Sequence, residues 1–242
     1  MPVSLPGTSA ASRANRLLEA LPRPQSRRML DQCEAVVLKV GDILYQPHAR
    51  IRHVYFPTDG FISLTMAGDG AGELEVALIG SEGMLGVPLV LGVNVSALRA
   101  TVQGDGLAWR MSSAALIRAV NRTPALRRQL HRYLQVRMSQ LARIAACARF
   151  HLVEQRLARC LLMSQDRANS EDFHATQEGL AGRLGVRRVG VTKAASALQR
   201  RRLIRYHRGS ISVLDRAGME AASCACYQAD RQVYDDLCCA LA

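Results

Sequence analysis

The sequence predicts an α+β fold: an antiparallel β sandwich or barrel in the N-terminal half, one long helix, and a helical C-terminal half that ends in a hairpin. Three observations predict it. From Val36 to Trp109, short segments rich in β-branched and aromatic residues are separated by glycines at intervals of roughly ten residues, the spacing of an all-β unit. Residues 125–148 then run without a glycine or proline. Finally, the net charge of +12 is lopsided: residues 1–120 hold 11 Lys/Arg and 10 Asp/Glu, whereas residues 121–242 hold 21 and 10. Such an asymmetry points to a polyanion partner for the second half.

The composition, 49% apolar and 21% charged, is that of a globular protein and excludes bulk disorder. No run of eighteen apolar residues occurs, so no membrane span is expected. The opening MPVSLPGTSAASRANRLLEALP lacks a signal peptide's apolar core, and the expected location is the cytoplasm.

Along the chain, SRANRLLEAL and QSRRMLDQCEA read as short helices broken by Pro22 and Pro24. The strands follow: VVLKVGDILYQ, HVYFPTDGFISLTMA, ELEVALIG, ALRATVQG and LAWRMS, with Gly41, Gly60, Gly68, Gly70, Gly80, Gly104 and Gly106 between or within them. In ELEVALIG, alternation sends Leu74, Val76 and Leu78 to one face and Glu73, Glu75 and Ala77 to the other. At Ser112 the period changes. SSAALIRAVNRTP is a helix capped by Ser112 or Ser113 and broken at Pro124.

The long helix follows, with Leu126, Leu130, Leu134, Met138, Leu141, Ala145 and Ala148 at three- and four-residue steps and Tyr133, Arg137 and Ile144 beside them. A narrow, Arg-flanked stripe fits either a two-helix seam or packing on the chain's own body. Because the helix bridges a β-rich half and a helical half, a homodimer seam through Leu130, Leu134, Met138, Leu141 and Ala145 is expected. HLVEQRLARCLLMSQDR is a further helix, and NSED a loop.

Residues 176–208 carry nine basic side chains and one acid, Glu178. Thr176 is placed to cap the helix QEGLAGRL, whose apolar face is Leu180, Ala181 and Leu184. Gly185 suits the positive φ of a tight turn. A second helix starts near Arg187 and buries Val191, Ala194, Ala195 and Leu198. Arg187, Arg188, Val189, Thr192 and Lys193 then face outward near its N-terminal end, where a recognition helix meets DNA. Arginine can pair with guanine O6 and N7, Val189 can meet a thymine methyl, and Thr192 and Lys193 suit phosphates. Ile204 and Tyr206 pair with Ile211 and Val213 across a turn at Arg208-Gly209-Ser210, giving a basic hairpin. The DNA-contacting set is thus Thr176, Gln177, Arg187, Arg188, Val189, Thr192, Lys193, Arg208 and Gly209. The run Arg200-Arg201-Arg202 also fits a solvated helix end.

No GxSxG, HExxH or phosphate-cradling Gly-Lys-Ser segment occurs, so no enzyme is expected. Cys33, Cys147 and Cys160 lie in apolar contexts and are expected to be small core residues. Cys224, Cys226, Cys238 and Cys239 lack zinc-ribbon spacing, and the histidines (His48, His53, His131, His151, His174, His207) show no ligand pattern. No metal site is expected.

Nearly the whole chain resembles the Crp/Fnr family of bacterial transcription regulators. KVGDILYQ and LIGSEGMLG are similar to the glycine-marked strands of its cyclic-nucleotide-binding-like jelly roll. The long helix is similar to its dimerisation helix, and TQEGLAGRLGVRRVGVTKAASALQRRRLI to its winged helix-turn-helix. The resemblance implies a sensor over residues 1–124, a dimerisation helix over 125–149 and a DNA-binding unit with its tail over 150–242. It also implies double-stranded DNA, a second copy of the chain and RNA polymerase as partners. A pocket for a small-molecule effector would involve Gly83, Met84, Leu85, Gly86 and Arg99. Met84 stands where nucleotide-binding members have a ribose-holding glutamate, and Arg99 is one residue off the phosphate-binding arginine. Methionine is no substitute for a carboxylate acceptor, so the expected effector is not ordinary cAMP. The N-terminal cysteine cluster of iron–sulfur sensors is absent. Val189 replaces the glutamate that many members carry, so the DNA half-site is not theirs. The alternative is a ligand-sensing module acting through another protein or an anionic surface.

Overall fold

A computed structural model describes residues 14–68, 72–168 and 172–239. Expectations for the first thirteen residues, for Gly70 and for Asn169–Glu171 of the expected loop lie outside the described residues. No helix of the described residues is long and apolar enough to cross a membrane.

The chain begins with α1 (Arg16–Glu19) and α2 (Arg23–Leu30). Asn15 caps α1 by accepting from the Leu18 N–H, and its own amide donates to the carbonyls of Pro57 and Gly83 at 2.9 and 2.8 Å. A buried side-chain amide thereby has its polar groups satisfied and ties the N-terminus to the sandwich.

Seven strands follow: β1 (Glu34–Leu38), β2 (Ile43–Tyr45), β3 (His53–Pro57), β4 (Phe61–Gly68), β5 (Gly72–Ile79), β6 (Arg99–Gly104) and β7 (Gly106–Ser112). They form two antiparallel sheets, β1-β7-β3 and β2-β6-β4-β5. One core holds Leu38, Val54, Phe56, Ile62, Ile79, Val102 and Met111 from both sheets, the arrangement of a sandwich.

The expected alternation in β5 fails. Opposite β4, Leu64 pairs with Ala77 but Thr65 pairs with Glu75, leaving Val76 as an extra residue. This bulge swaps the faces. Glu73 and Glu75 accept from Thr65 and Ser63 hydroxyls, each at 2.7 Å, while Leu74 is 40% exposed. Only Ala77, Leu78 and Ile79 are fully buried in this strand.

Ser112 caps α3 (Ser113–Arg122), and α4 (Pro124–Phe150) follows. At 27 residues α4 is about 40 Å long. Its first half buries Leu126, Leu130, Tyr133 and Val136 in the sandwich core. Leu130 is therefore not a seam residue, a correction to the sequence reading. Beyond α4 lie α5 (Val153–Ala168), β8 (Asp172–His174), α6 (Gln177–Leu184), α7 (Arg188–Arg200), β9 (Ile204–His207), β10 (Ser210–Val213), α8 (Arg216–Ala222), α9 (Cys226–Tyr234) and a π-turn at Asp235–Cys239. A second core unites Leu157, Leu161, Leu180, Val191, Leu198, Ile204, Ile211 and Met219.

The tail departs from the expected domain boundary. Tyr234 and Cys238 belong to the sandwich core, and Gln129 donates to the Cys238 carbonyl at 3.2 Å. Arg16 reaches Asp235 at 3.3 Å and lies over the Tyr234 ring. Residues 234–238 thus return to the N-terminal half.

Buried ion pairs also join the halves. Arg167 of α5 meets Glu82 at 2.6 Å, and Arg183 of α6 meets Glu75 of β5 at 2.9 Å. Burial works against ionisation of Glu82, but the Arg167 charge and hydrogen bonds outweigh it and hold the carboxyl below its ordinary value. A depressed acid contributes stability above its unfolded-state pKa and loses that contribution as pH falls through the folded one. The stability gap between wild type and Glu82→Gln should accordingly narrow as pH falls below the ordinary carboxyl value of 4.5. Thermal melts at stepped pH measure it, and a pH-independent gap would refute the role given to this pair.

Candidate nucleic-acid interface

Thr176 occupies the N-cap of α6 and accepts from the Gly179 N–H at 3.0 Å. Gly185, at φ +61°, ends the helix in the left-handed region. The Gly185 N–H donates to the Gly182 carbonyl and the Val186 N–H to the Ala181 carbonyl, the paired bonds of a Schellman closure. This turn redirects the chain sharply into α7.

The inward face of α7 is Val191, Ala194, Ala195 and Leu198, all buried. Its outward face carries Arg187, Arg188, Val189, Thr192 and Lys193, all exposed, with Val189 at 59%. The helix has no side-chain cap and no acid in its first turn. Its free N–H groups and positive dipole end sit beside two guanidinium groups, a combination that attracts phosphate. The exposed Thr192 hydroxyl lies 2.8 Å from Gln177 Oε1 and 3.1 Å from the Arg188 carbonyl, either of which can accept from it, and the first contact joins the start of α6 to α7. Gln177 and Thr192 therefore act as a pair.

The hairpin is the outer part of a three-stranded sheet ordered β8-β10-β9. Sequence reasoning missed β8, because three residues are too few for alternation to register. His207 pairs with Ser210, leaving Arg208 and Gly209 as a two-residue turn, one residue tighter than expected. Their φ values of +47° and +85° are those of a primed hairpin turn. Glycine takes this conformation freely, whereas arginine does so at a cost of about 1–3 kcal/mol. A glycine is required at 209 for a second reason: a β-carbon there would come within 2.4 Å of the His174 ring. Tyr206 holds the hairpin to the helices, donating to the Ala175 carbonyl at 2.7 Å, while Gln199 of α7 donates to the Tyr206 carbonyl. Of the arginine run, Arg201 pairs with Glu154 at 3.0 Å and Arg200 remains on the exposed surface.

The expected effector residues do not gather round a cavity. Met84 and Leu85 are core residues, 0% and 2% exposed. The Met84 N–H donates to the Tyr133 hydroxyl at 3.3 Å, and a β-carbon on Gly83 would collide with that same group. Gly86, at φ +108°, is packed against Val54 and Tyr45. Arg99 opens β6, where it faces Glu73 at 3.3 Å. None of the principal clefts among the described residues is lined by any of the five.

The cysteines hold a further surprise. Cys147, at the end of α4, meets Cys224, Cys226 and His151 rather than ordinary core side chains. Cys147 and His151 are four apart and Cys224 and Cys226 two apart, and the two pairs lie more than seventy residues from each other.

Residues 155–222 match the family model of the Crp-like helix-turn-helix domain. Among solved structures, FixK2 from Bradyrhizobium japonicum superposes with a TM-score of 0.67 at 14% identity, over 80% of this chain and 98% of that one. The c-di-GMP-responsive global regulator CLP from Xanthomonas campestris gives 0.65 at 16%, over 79% and 99%. A CRP/FNR-family transcriptional regulator from Thermus thermophilus gives 0.65 at 23%, over 78% and 98%. No curated protein sequence matches the chain significantly.

Proposed function

We propose that this chain, which has a Crp-like helix-turn-helix domain and the fold of Crp/Fnr transcription regulators, is a homodimeric, sequence-specific DNA-binding regulator. The observation that carries the reading is the exposed basic end of α7 set beside a strained arginine at the hairpin tip. Backbone strain at an exposed, charged position is well explained by contact with a ligand. Here Arg208 would reach a phosphate while Arg187, Arg188 and Val189 enter the major groove.

The second half of α4 supports the dimer. Met138, Leu141, Ala145 and Ala148 are all exposed, and with the partly buried Leu134 they recur at alternating steps of four and three. This is a two-helix seam's spacing, and Met138, at 63%, is its most exposed large side chain. Two copies would read a two-fold-related site in the cytoplasm and act there on RNA polymerase. The burial of Met84 and the Arg99–Glu73 pairing support control by something other than ordinary cAMP.

The test uses duplexes selected from a random pool. Arg188→Ala should weaken binding by about 1–3 kcal/mol per half-site, roughly 5- to 150-fold for each, and relax preference at one base pair of each half-site. Lys193→Ala should weaken all sequences alike and reduce the salt slope by about one per half-site. If both variants bind as wild type does, or if the pool yields no preferred sequence, the reading is wrong.

A further inference from the structure

We propose that Cys147, His151, Cys224 and Cys226 form a closed tetrahedral site for one zinc ion, pinning the end of α4 to the start of α9 and the turn before it. One ligand atom from each residue lies within 4.8 Å of all the others. Cys147 Sγ is 3.5 Å from Cys224 Sγ, and Cys226 Sγ is 3.6 Å from His151 Nδ1. Zinc bonds of about 2.3 Å to sulfur and about 2.0 Å to nitrogen, at tetrahedral angles, imply edges of about 3.8 Å between sulfurs and about 3.5 Å between sulfur and nitrogen. Those two separations are close to such edges, and every other pair lies within 4.8 Å.

The backbone explains the convergence. His151 is the C-cap of α4, its N–H donating to the Cys147 carbonyl at 3.1 Å, so both side chains project from the same last turn. Cys224 lies in the short connection after α8 and Cys226 opens α9, where the Tyr227 N–H closes on the Cys224 carbonyl at 3.1 Å. The three cysteines are buried and form their own small cluster, apart from both main cores.

Alternatives fit less well. The sulfurs stand well beyond the roughly 2.05 Å of a disulfide. An iron–sulfur cluster spreads its ligands round an inorganic cage, whereas these four converge on a point. Three thiolates and an imidazole are a borderline-soft set suited to zinc, and four protein ligands leave no open position for catalysis. Three thiolates and a divalent ion leave one net negative charge. Arg143 and Arg159 share the one carboxylate of Asp230, at 2.8 and 2.5 Å, which leaves one net positive charge, and Arg159 lines the same cleft as Cys147. The Arg159 Nε is buried and has no hydrogen-bond partner among the described residues.

The site does not depend on the DNA-binding reading, since it is measured on the free protein. The full chain, purified under reducing, chelator-free conditions and dialysed against zinc, should carry one zinc, counted by mass spectrometry. Cys147→Ser and Cys224→Ser should lose it, while Cys33→Ser and Cys160→Ser should keep it. Cobalt loaded into the wild-type chain should show thiolate charge-transfer absorption and tetrahedral d–d bands, a readout that no misfolded variant can obscure. A wild-type chain that retains no zinc or cobalt overturns the proposal. So does zinc that survives in both Cys147→Ser and Cys224→Ser, and so does a peptide map joining two of the three cysteines in freshly purified protein.

Discussion

Met138→Glu should break the proposed α4 dimer and cost about 10²–10⁴-fold in affinity for a two-fold-related DNA site, the avidity that linking two half-site modules supplies. Met138 is 63% exposed on α4 and makes no part of either core, so the substitution leaves the folded chain intact. In a dimer the same position would be desolvated, and a carboxylate buried there without a partner is strongly unfavourable. Leu141→Glu, at a 45% exposed neighbour on the same stripe, should behave alike. Ile117→Glu on α3 is the control: it is 42% exposed but lies off the stripe, and should stay dimeric. Sedimentation gives the mass and anisotropy with full and half sites gives the affinity. A double variant, Met138→Glu with Leu141→Glu, that still sediments as a dimer would place the interface elsewhere. A wild-type monomer that binds full and half sites equally would remove the dimer altogether.

The same helix shows where sequence reading works and where it stops. In α7, apolar and basic residues segregate cleanly, so periodicity alone places Val191 and Leu198 inside and Arg188 and Lys193 outside. In α4 two apolar stripes overlap. Leu126, Leu130, Tyr133 and Val136 serve the chain's own core, while Met138 and Leu141 remain outside, and a single stripe drawn through Leu130 mixes them. Nothing local marks the crossover, because it is set by where the sandwich ends against the helix. Alternation misassigns the β5 faces for a similar reason: a bulge at Val76 depends on pairing with β4. The glycine-marked loop is legible as a turn, yet whether it cradles a ligand depends on Tyr133 and Val54 filling the space, and neither neighbours it in sequence. The Cys–His cluster is the extreme case. Its two halves each hold two ligands, too few to signal a metal, and only the folded chain brings them within reach of one another.

Glu75→Ala should destabilise the protein by about 3–5 kcal/mol, the cost of stranding one member of a buried ion pair. Glu75 and Arg183 are each 10% exposed and meet at 2.9 Å across the boundary between β5 and α6. Without Glu75, Arg183 would keep only Ser164, to whose hydroxyl it donates at 2.9 Å, as a side-chain partner. Burying an unpaired guanidinium is worse than moving α6 away, so the helix-turn-helix should undock. Hydrogen exchange should then rise in α6 and β5 together, with α7 following. Replacing both charges, as in Glu75→Leu with Arg183→Met, should recover most of the lost stability, since an apolar pair of similar volume avoids the desolvation penalty. Denaturant titrations of the two single variants and the double variant measure the coupling. Equal losses in Glu75→Ala and in the double variant would mean that the pair is not coupled as described. The double variant also separates strength from aim. Leu74 sits beside Gly185, where a β-carbon would come within 2.9 Å of its Cδ1, so the same contact region fixes the turn that points α7 outward. If stability returns while preference among selected duplexes broadens, the ion pair's contribution is orientation. If both return together, hydrophobic contact alone suffices to aim the recognition helix.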